Sequence, residues 1–307
     1  MSDQQTVLIT GGTGSLGFRA AEAILRADPD RVVAITGRGG AAVDAASARL
    51  GDRAVGLPLD LASLSAVRRF ARGFGELGLP PLHAIVCNAG TQIVSDTVRT
   101  ADGIEQTFAV NHLAHFLLVR ELLPTMATPG RIVFVASDTH DPTKPTGMPR
   151  PVYTTAWDLA YPADSDATAG PGPAGRRRYT TSKLCNVLAT YEFARYLDTG
   201  TVPPAVTVNA FDPGLMPGTG LGRDYRGIQG WAWRNLLPAL TIVPGINVHT
   251  PRRSAAALAR LVLAPELAGT TGRYFSGRRE IKSSAESYDI AKGEDLWTTS
   301  VEIIEKL

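Results

Sequence analysis

Short apolar runs rich in β-branched residues alternate along the chain with longer stretches in which apolar residues recur every three or four positions. The first pattern suits a strand buried on both faces, the second an amphipathic helix. It predicts strands over residues 6–10, 31–36, 54–59, 84–87, 131–136 and 205–210, with a weaker seventh at 272–275. Helices are predicted over 16–27, 41–50, 64–74, 103–123, 179–197 and 252–263. Strands joined through helices build βαβ units, so the expected fold is α/β: one doubly wound domain over 1–307. Its sheet is mostly parallel, six- or seven-stranded, with helices on both faces. Two segments break the alternation, 141–175 and 213–251, the first rich in Pro, Gly, Ala and Asp. Both follow strand C-termini, where open α/β sheets place their ligands, and both read as substrate-covering segments.

The first strand runs into Thr10-Gly11-Gly12-Thr13-Gly14-Ser15-Leu16-Gly17 and then a helix. Such a turn lets backbone N–H groups approach a pyrophosphate at the helix N-terminus, which makes the domain Rossmann-like. Gly11, Thr13, Gly14, Ser15, Leu16 and Gly17 are the candidate contacts. About twenty residues on, the second strand ends in Thr36-Gly37-Arg38, with no acidic side chain for an adenosine ribose. Arg38 offers instead a planar donor fork suited to a 2′-phosphate, which favours NADP(H) over NAD(H). Asp60 and Leu61 after the third strand, and Asn88, Ala89 and Gly90 after the fourth, either line the adenosine side or serve as turn residues.

Tyr179 and Lys183 stand four apart on a predicted helix and so share a face. A free tyrosine titrates near ~10, and a neighbouring ammonium favours its phenolate. Ser137 ends the fifth strand, and Asn111 is polar within the apolar stretch 108–118. Together the glycine turn, Cys87-Asn88-Ala89-Gly90, Asn111, Ser137, Tyr179-Thr180-Thr181-Ser182-Lys183 and Asp212-Pro213-Gly214 resemble the short-chain dehydrogenase/reductase superfamily, in its order and along nearly the whole chain. Asp60-Leu61-Ala62-Ser63-Leu64, the run from Asn111 to Leu118, and Ser182-Lys183-Leu184-Cys185-Asn186 are similar to its retinol dehydrogenase and light-dependent protochlorophyllide reductase branch. The resemblance implies that Tyr179 is the acid–base group and that Ser137 polarises the substrate oxygen. It implies that Lys183 binds the nicotinamide ribose and that Asn111 holds a water of a proton relay. Pro213, Gly214 and Thr219 would contact the nicotinamide. Two features depart from the usual pattern. Ser15 stands where the compact type has Gly, so that Gly14 fits the spacing of the epimerase-like branch, and 42 residues separate Ser137 from Tyr179.

Composition narrows the class. A hydrophobic fraction of 44% supports a sizeable core, and a net charge of +2 gives no reason to expect nucleic acid. The two cysteines lie far apart and read as reduced thiols. A polar start leading directly into a strand leaves no room for a signal peptide, and the expected location is the cytoplasm. His112 and His115 invite a metal reading that no further ligand cluster supports, so both are read as structural. Cys185 reads as a small helix-face residue and His140 as a loop residue at the site rim. Trp231, Trp233, Leu236, Leu237, Tyr153 and Trp157 would wall the nicotinamide end, which favours a bulky hydrophobic carbonyl or alcohol. Membrane contact by the Trp/Leu segment is the lesser reading. Reduction of a carbon–carbon double bond, nucleotide-sugar epimerisation and NADP(H) sensing without catalysis are the alternatives; an oligomer is compatible with the sequence.

Overall fold

The computed structural model describes residues 4–163, 170–200, 205–216 and 247–306. The chain begins with β1 (Gln5–Ile9), α1 (Ser15–Ala27), β2 (Arg31–Gly37), α2 (Gly40–Leu50), β3 (Ala54–Pro58), α3 (Leu64–Gly73) and β4 (Leu82–Cys87). Then come α4 (residues 106–122), β5 (Met126–Val135), a single turn α5 (Ala156–Ala160) and the long α6 (Pro171–Asp198). β6 (Val206–Asp212), α7 (Pro251–Leu263), β7 (Arg273–Ser276), β8 (Arg279–Ile281) and α8 (Ile290–Lys306) follow. Among the described residues, eight strands form one sheet in the order β3-β2-β1-β4-β5-β6-β7-β8. Every neighbouring pair is parallel except β7 and β8. The strand order reverses between β1 and β4, which opens a crevice beyond their C-terminal ends.

Alternate side chains of a strand point to opposite faces, so each central strand feeds two cores. Leu8, Ile85, Ile132 and Phe134 face α3, α4, α6 and α8, whereas Val7, Ile9, Val33, Ile35, Val86 and Val133 face α1 and α7. With both faces apolar, the polar chemistry is left to the strand ends. α4 opens on Glu105, whose carboxylate accepts from Phe108 N at 2.7 Å and is paired with Arg178 of α6 at 3.4 Å. The ion pair is almost fully buried on the Glu105 side, so it ties the two helices at a defined register. Through Ala109–Leu113, α4 widens into a π-helical turn, which places Asn111 at the bulge.

The structure departs from the sequence expectation in several places. β5 starts at Met126, five residues early; α4 starts at Gln106; and α6 starts at Pro171, so that Tyr179 sits inside the helix and not at its first turn. Pro at a first helical position is compatible with helix, because that N–H has no intrahelical partner. The hairpin partner β8 and the C-terminal α8 were not anticipated, which makes the sheet eight-stranded. Segment 141–175 is not irregular throughout, since it contains α5 and the start of α6.

Gly12 is where the glycine turn meets β2. Its N–H donates to Thr36 O at 2.9 Å, and a Cβ placed there would overlap Cβ and Cγ2 of Ile35. Gly12→Ala is therefore expected to destabilise the fold by roughly 1–3 kcal/mol, the usual range for overpacking. Gly40→Ala, whose methyl meets nothing within 4 Å, should leave stability unchanged or slightly raised. Thermal unfolding followed by circular dichroism compares the two. Coincident melting curves for Gly12→Ala and the parent protein would contradict the steric argument.

Candidate active site

The turns leaving β1, β2, β4, β5 and β6 converge on one cavity of about 1730 Å³. Its wall includes Gly11, Thr13, Gly14, Ser15, Leu16, Gly17, Arg38, Asp60, Leu61, Asn88, Ala89 and Gly90 on one side. Ser137, Tyr179, Lys183, Pro213 and Gly214 stand on the other. Asn111 is fully buried behind this wall. Thr219, Trp231, Trp233, Leu236 and Leu237 lie outside the described residues.

At the glycine end, Gly11 adopts φ +65°, a left-handed conformation that favours glycine. A Cβ on Gly17 would stand 2.6 Å from Gly11 O and 2.7 Å from Asn88 Nδ2, so only glycine lets α1 approach the turn this closely. α1 has Gly14 at its N-cap, with no side-chain cap and no acidic residue in its first turn. Its leading N–H groups and the positive end of its dipole are thus presented to the cavity, as an anion requires. Arg38 is exposed at the cavity wall, and among the described residues no hydrogen bond or ion pair holds its guanidinium. These features fit a dinucleotide with a 2′-phosphate. Asp60 spends one oxygen on its own turn, accepting from Ala62 N at 3.0 Å. Asn88 directs its amide to Thr10 O at 2.7 Å and Gly11 O at 3.3 Å, so its side chain braces the glycine turn.

One hydroxyl joins these turns. Thr10 Oγ1 accepts from Asn88 N at 2.9 Å and Ala89 N at 3.0 Å, which fills both lone pairs. Its proton is then shared between His115 Nε2, 2.8 Å away, and Val86 O at 3.3 Å, and His115 carries its own proton on Nδ1, which donates to Asn111 O at 3.2 Å. Burial holds the imidazole of His115 neutral, with its pKa pushed down to about 4. Asn111 in turn accepts from Thr91 N at 2.7 Å and donates to Thr91 O and Ser182 Oγ, both at 2.9 Å. Ser182 Oγ donates to Tyr179 O at 2.7 Å. The chain of bonds therefore runs from the end of β1 to the helix carrying Tyr179. His112 turns away to Ser300 Oγ of α8 at 3.0 Å, so the two histidines have separate partners.

At the other end, Tyr179 is buried but lines the cavity, with Lys183 Nζ 5.6 Å from its ring centre. Lys183 donates to Val135 O at 2.9 Å, and Asn186 donates to the same carbonyl at 3.1 Å. Burial lowers the Lys183 ammonium to about 8, opposed by the Asp212 carboxylate. Ser137 begins a short turn and accepts from Thr139 N at 3.3 Å. Its carbonyl accepts from His140 Nδ1 at 2.6 Å, while His140 Nε2 accepts from Ser284 N at 3.1 Å. His140, expected at the rim, is thus a buried strut between the Ser137 turn and the segment after β8. Tyr153 and Trp157 also depart from expectation. Tyr153 is core, with its hydroxyl donating to Asp295 of α8 at 2.7 Å, and Trp157 is exposed, its ring tilted against that of Tyr161. The cavity wall near Ser137 comes instead from Lys144, Pro145, Met148, Val248, Tyr274 and Ile281.

Sequence reading also passed over Asp138. Its carboxylate and that of Asp212 each accept from Asn247 Nδ2 at 2.8 Å, and Ser276 Oγ donates to Asp212 at 2.9 Å. The signal was local, an acidic residue directly after Ser137, but its partners come from residues 212 and 247.

The profile of the short chain dehydrogenase family matches residues 5–156. Polyprenol dehydrogenase of Mus musculus is 33% identical over 97% of this chain and 83% of its own length. The WW domain-containing oxidoreductase of Danio rerio is 31% identical over 100% of this chain and 69% of its own. A crystal structure of an uncharacterised protein from Mycobacterium paratuberculosis superposes with a TM-score of 0.69 at 23% identity, covering 98% of this chain and 94% of that one.

Burial, then the charge of Asp212, pushes the Asp138 pKa up to about 6. An acid whose folded pKa lies above its unfolded value binds more protons folded, so stability falls as pH rises between about 4 and 6. Asp138→Asn keeps an acceptor for Asn247 and removes that penalty. Its melting temperature should match the parent near pH 4 and exceed it above pH 6. A constant difference across that range would disprove the assignment. With 33% identity to a dehydrogenase along nearly its whole length, on a doubly wound sheet whose turns meet at one cavity, the chain belongs to the short-chain dehydrogenase/reductase family and is an oxidoreductase.

Proposed function

We propose that the protein is an NADP(H)-dependent ketoreductase or alcohol dehydrogenase acting on a bulky hydrophobic carbonyl compound or alcohol, with Tyr179 as the acid–base group. The carrying observation is that a single cavity holds the glycine turn and Arg38 at one end and Ser137, Tyr179 and Lys183 at the other. NADPH, when bound, supplies the hydride. The N-terminus of α1 would hold the pyrophosphate, Arg38 the 2′-phosphate, and Pro213 and Gly214 the nicotinamide. Ser137 Oγ and Tyr179 Oη together hold the substrate oxygen, and Tyr179 donates its proton to the developing alkoxide. Lys183, cationic at neutral pH, lowers the cost of the phenolate left behind. Asn111 keeps α4 and α6 in register through Thr91 and Ser182.

Pro145, Met148, Val248 and Ile281 give this end an apolar wall, which supports a hydrophobic substrate. So does the likeness to an enzyme named for a polyprenol, a long-chain lipid alcohol. No helix of the described residues is long and apolar enough to cross a membrane. Two free, buried thiols, Cys87 and Cys185, support the cytoplasm as the place of action.

Two measurements test this reading. NADPH should bind more tightly than NADH, and Arg38→Ala should lower NADPH affinity roughly tenfold or more, by about 1.5–3 kcal/mol for a charge-assisted fork. Equal affinities for the two nucleotides would end the NADP(H) assignment. In a screen of carbonyl compounds with NADPH, followed by absorbance loss, Tyr179→Phe should cost at least the ~10²-fold of general acid catalysis while folding and NADPH binding persist. Near-parental turnover by Tyr179→Phe would remove Tyr179 from the chemistry.

A further inference from the structure

The cavity wall beyond Ser137 carries more positive charge than its hydride-transfer chemistry needs. Lys144, in the loop after β5, and Arg279 and Lys282, on and just after β8, all line it and are exposed. No carboxylate pairs with any of the three side chains among the described residues, although Arg273 and Arg260 nearby are paired with Glu280 and Glu266 at 3.5 and 3.1 Å. Three carboxylates share this part of the wall, and each is occupied by protein donors. Asp138 and Asp212 hold Asn247, and Asp141 holds the N–H and hydroxyl of Thr143 at 3.0 and 2.7 Å.

An independent observation comes from β7. Tyr274 lines the same cavity and is only 2% exposed, yet its hydroxyl has no hydrogen-bond partner among the described residues. Burial and the surrounding carboxylates keep it a neutral phenol, hence a donor. A buried donor left without an acceptor is costly, and a ligand oxygen would relieve it.

The phosphates of the cofactor cannot account for these groups. In the strand order, β7 lies five positions from β2, which carries Arg38, and four from β1, which leads into the glycine turn. At ~4.8 Å per strand those separations are roughly 24 and 19 Å. From β5, which leads into Ser137, β7 is only two positions away, roughly 10 Å.

We propose that Arg279, Lys282, Lys144 and the Tyr274 hydroxyl form an anion subsite, and that the substrate is amphipathic. It carries a carboxylate or phosphate group roughly 10–14 Å, two to three strand spacings, from the carbon that exchanges hydride. The apolar residues Pro145, Met148 and Ile281 on the same wall accommodate the body between the two ends. This placement rests on Ser137 and Tyr179 marking the reacting end, as proposed above. Charges lining a concave, low-dielectric wall attract a counter-ion more strongly than the same charges on an open surface.

Titration of the NADPH-loaded protein with octanoate, octyl phosphate, octanol and octyltrimethylammonium tests the subsite without requiring turnover. At low salt, octanoate or octyl phosphate should bind about tenfold more tightly than octanol, as two or three partly exposed ion pairs allow. The ammonium should bind least, and added salt should erode the advantage. Whichever anion binds more tightly identifies the group. The double variant Arg279→Glu/Lys282→Glu should abolish the preference with NADPH affinity unchanged, and Lys144→Glu should weaken it independently. Three results would overturn the subsite: no anion preference, including no binding at all; a preference retained in the folded double variant; or NADPH affinity falling alongside that of octanoate. Turnover of 8-oxooctanoate and octanal with NADPH is a separate readout. If neither aldehyde is reduced while the anion preference holds, the ketoreductase reading fails and the subsite stands.

Discussion

The hydroxyl of Thr10 is the point on which the site hangs. It lies at the end of β1, where the strand order turns back, and three structures meet there. Two N–H groups from the turn after β4 occupy its lone pairs, and its proton is shared between His115 of α4 and Val86 O. Because His115 then donates to Asn111 and Asn111 to Ser182, the glycine turn is hydrogen-bonded by stages to the helix bearing Tyr179 and Lys183. Each group in this chain is buried, so any broken link leaves a donor or acceptor without water to replace it. Such a network permits very few relative positions of the glycine turn and the helix bearing Tyr179.

The same economy governs charge. The central strands are apolar on both faces, and ionisable groups gather at the C-terminal edge of the sheet, where they act on one another. Lys183 loses part of its hydration and finds the carbonyl of Val135, with Asp212 opposing the loss. Asp212 and Asp138 share one asparagine amide. The uncapped start of α1 remains open to an anion, while Ser63 and Thr250 cap α3 and α7 with their own side chains.

The C-terminal elements complete the site from outside the core βαβ units. β7 contributes Tyr274, and the segment after β8 holds His140 through Ser284 and so steadies Ser137. α8 anchors Tyr153 through Asp295 and His112 through Ser300. A chain ending after β6 would keep Tyr179, Lys183 and Ser137 and lose part of what orients them.

Much of this was legible in the sequence because it is local. β-branched runs set the strands, Gly11 and Gly17 marked a turn that tolerates no side chain, and the four-residue spacing placed Tyr179 and Lys183 on one face. β8 escaped because three residues, Arg279–Ile281, are too few to show a period. α8 had a readable apolar face in Leu296, Ile303 and Ile304, but its neighbours in the pattern, Ser300 and Gly293, obscured it. Tyr153 and Trp157 were misplaced because aromatic character says that a side chain will find an apolar neighbour, not which one. By itself the sequence determined most of the elements, the glycine turn and the shared face of Tyr179 and Lys183, since propensity, periodicity and turn geometry act over a few residues. Only the tertiary structure decided that Thr10 meets His115, that His140 is a strut, and that Lys144 and Lys282 share a wall with Tyr274. Those partners lie 105, 144 and 138 residues apart or fewer, and are joined only where packed strands and helices end together.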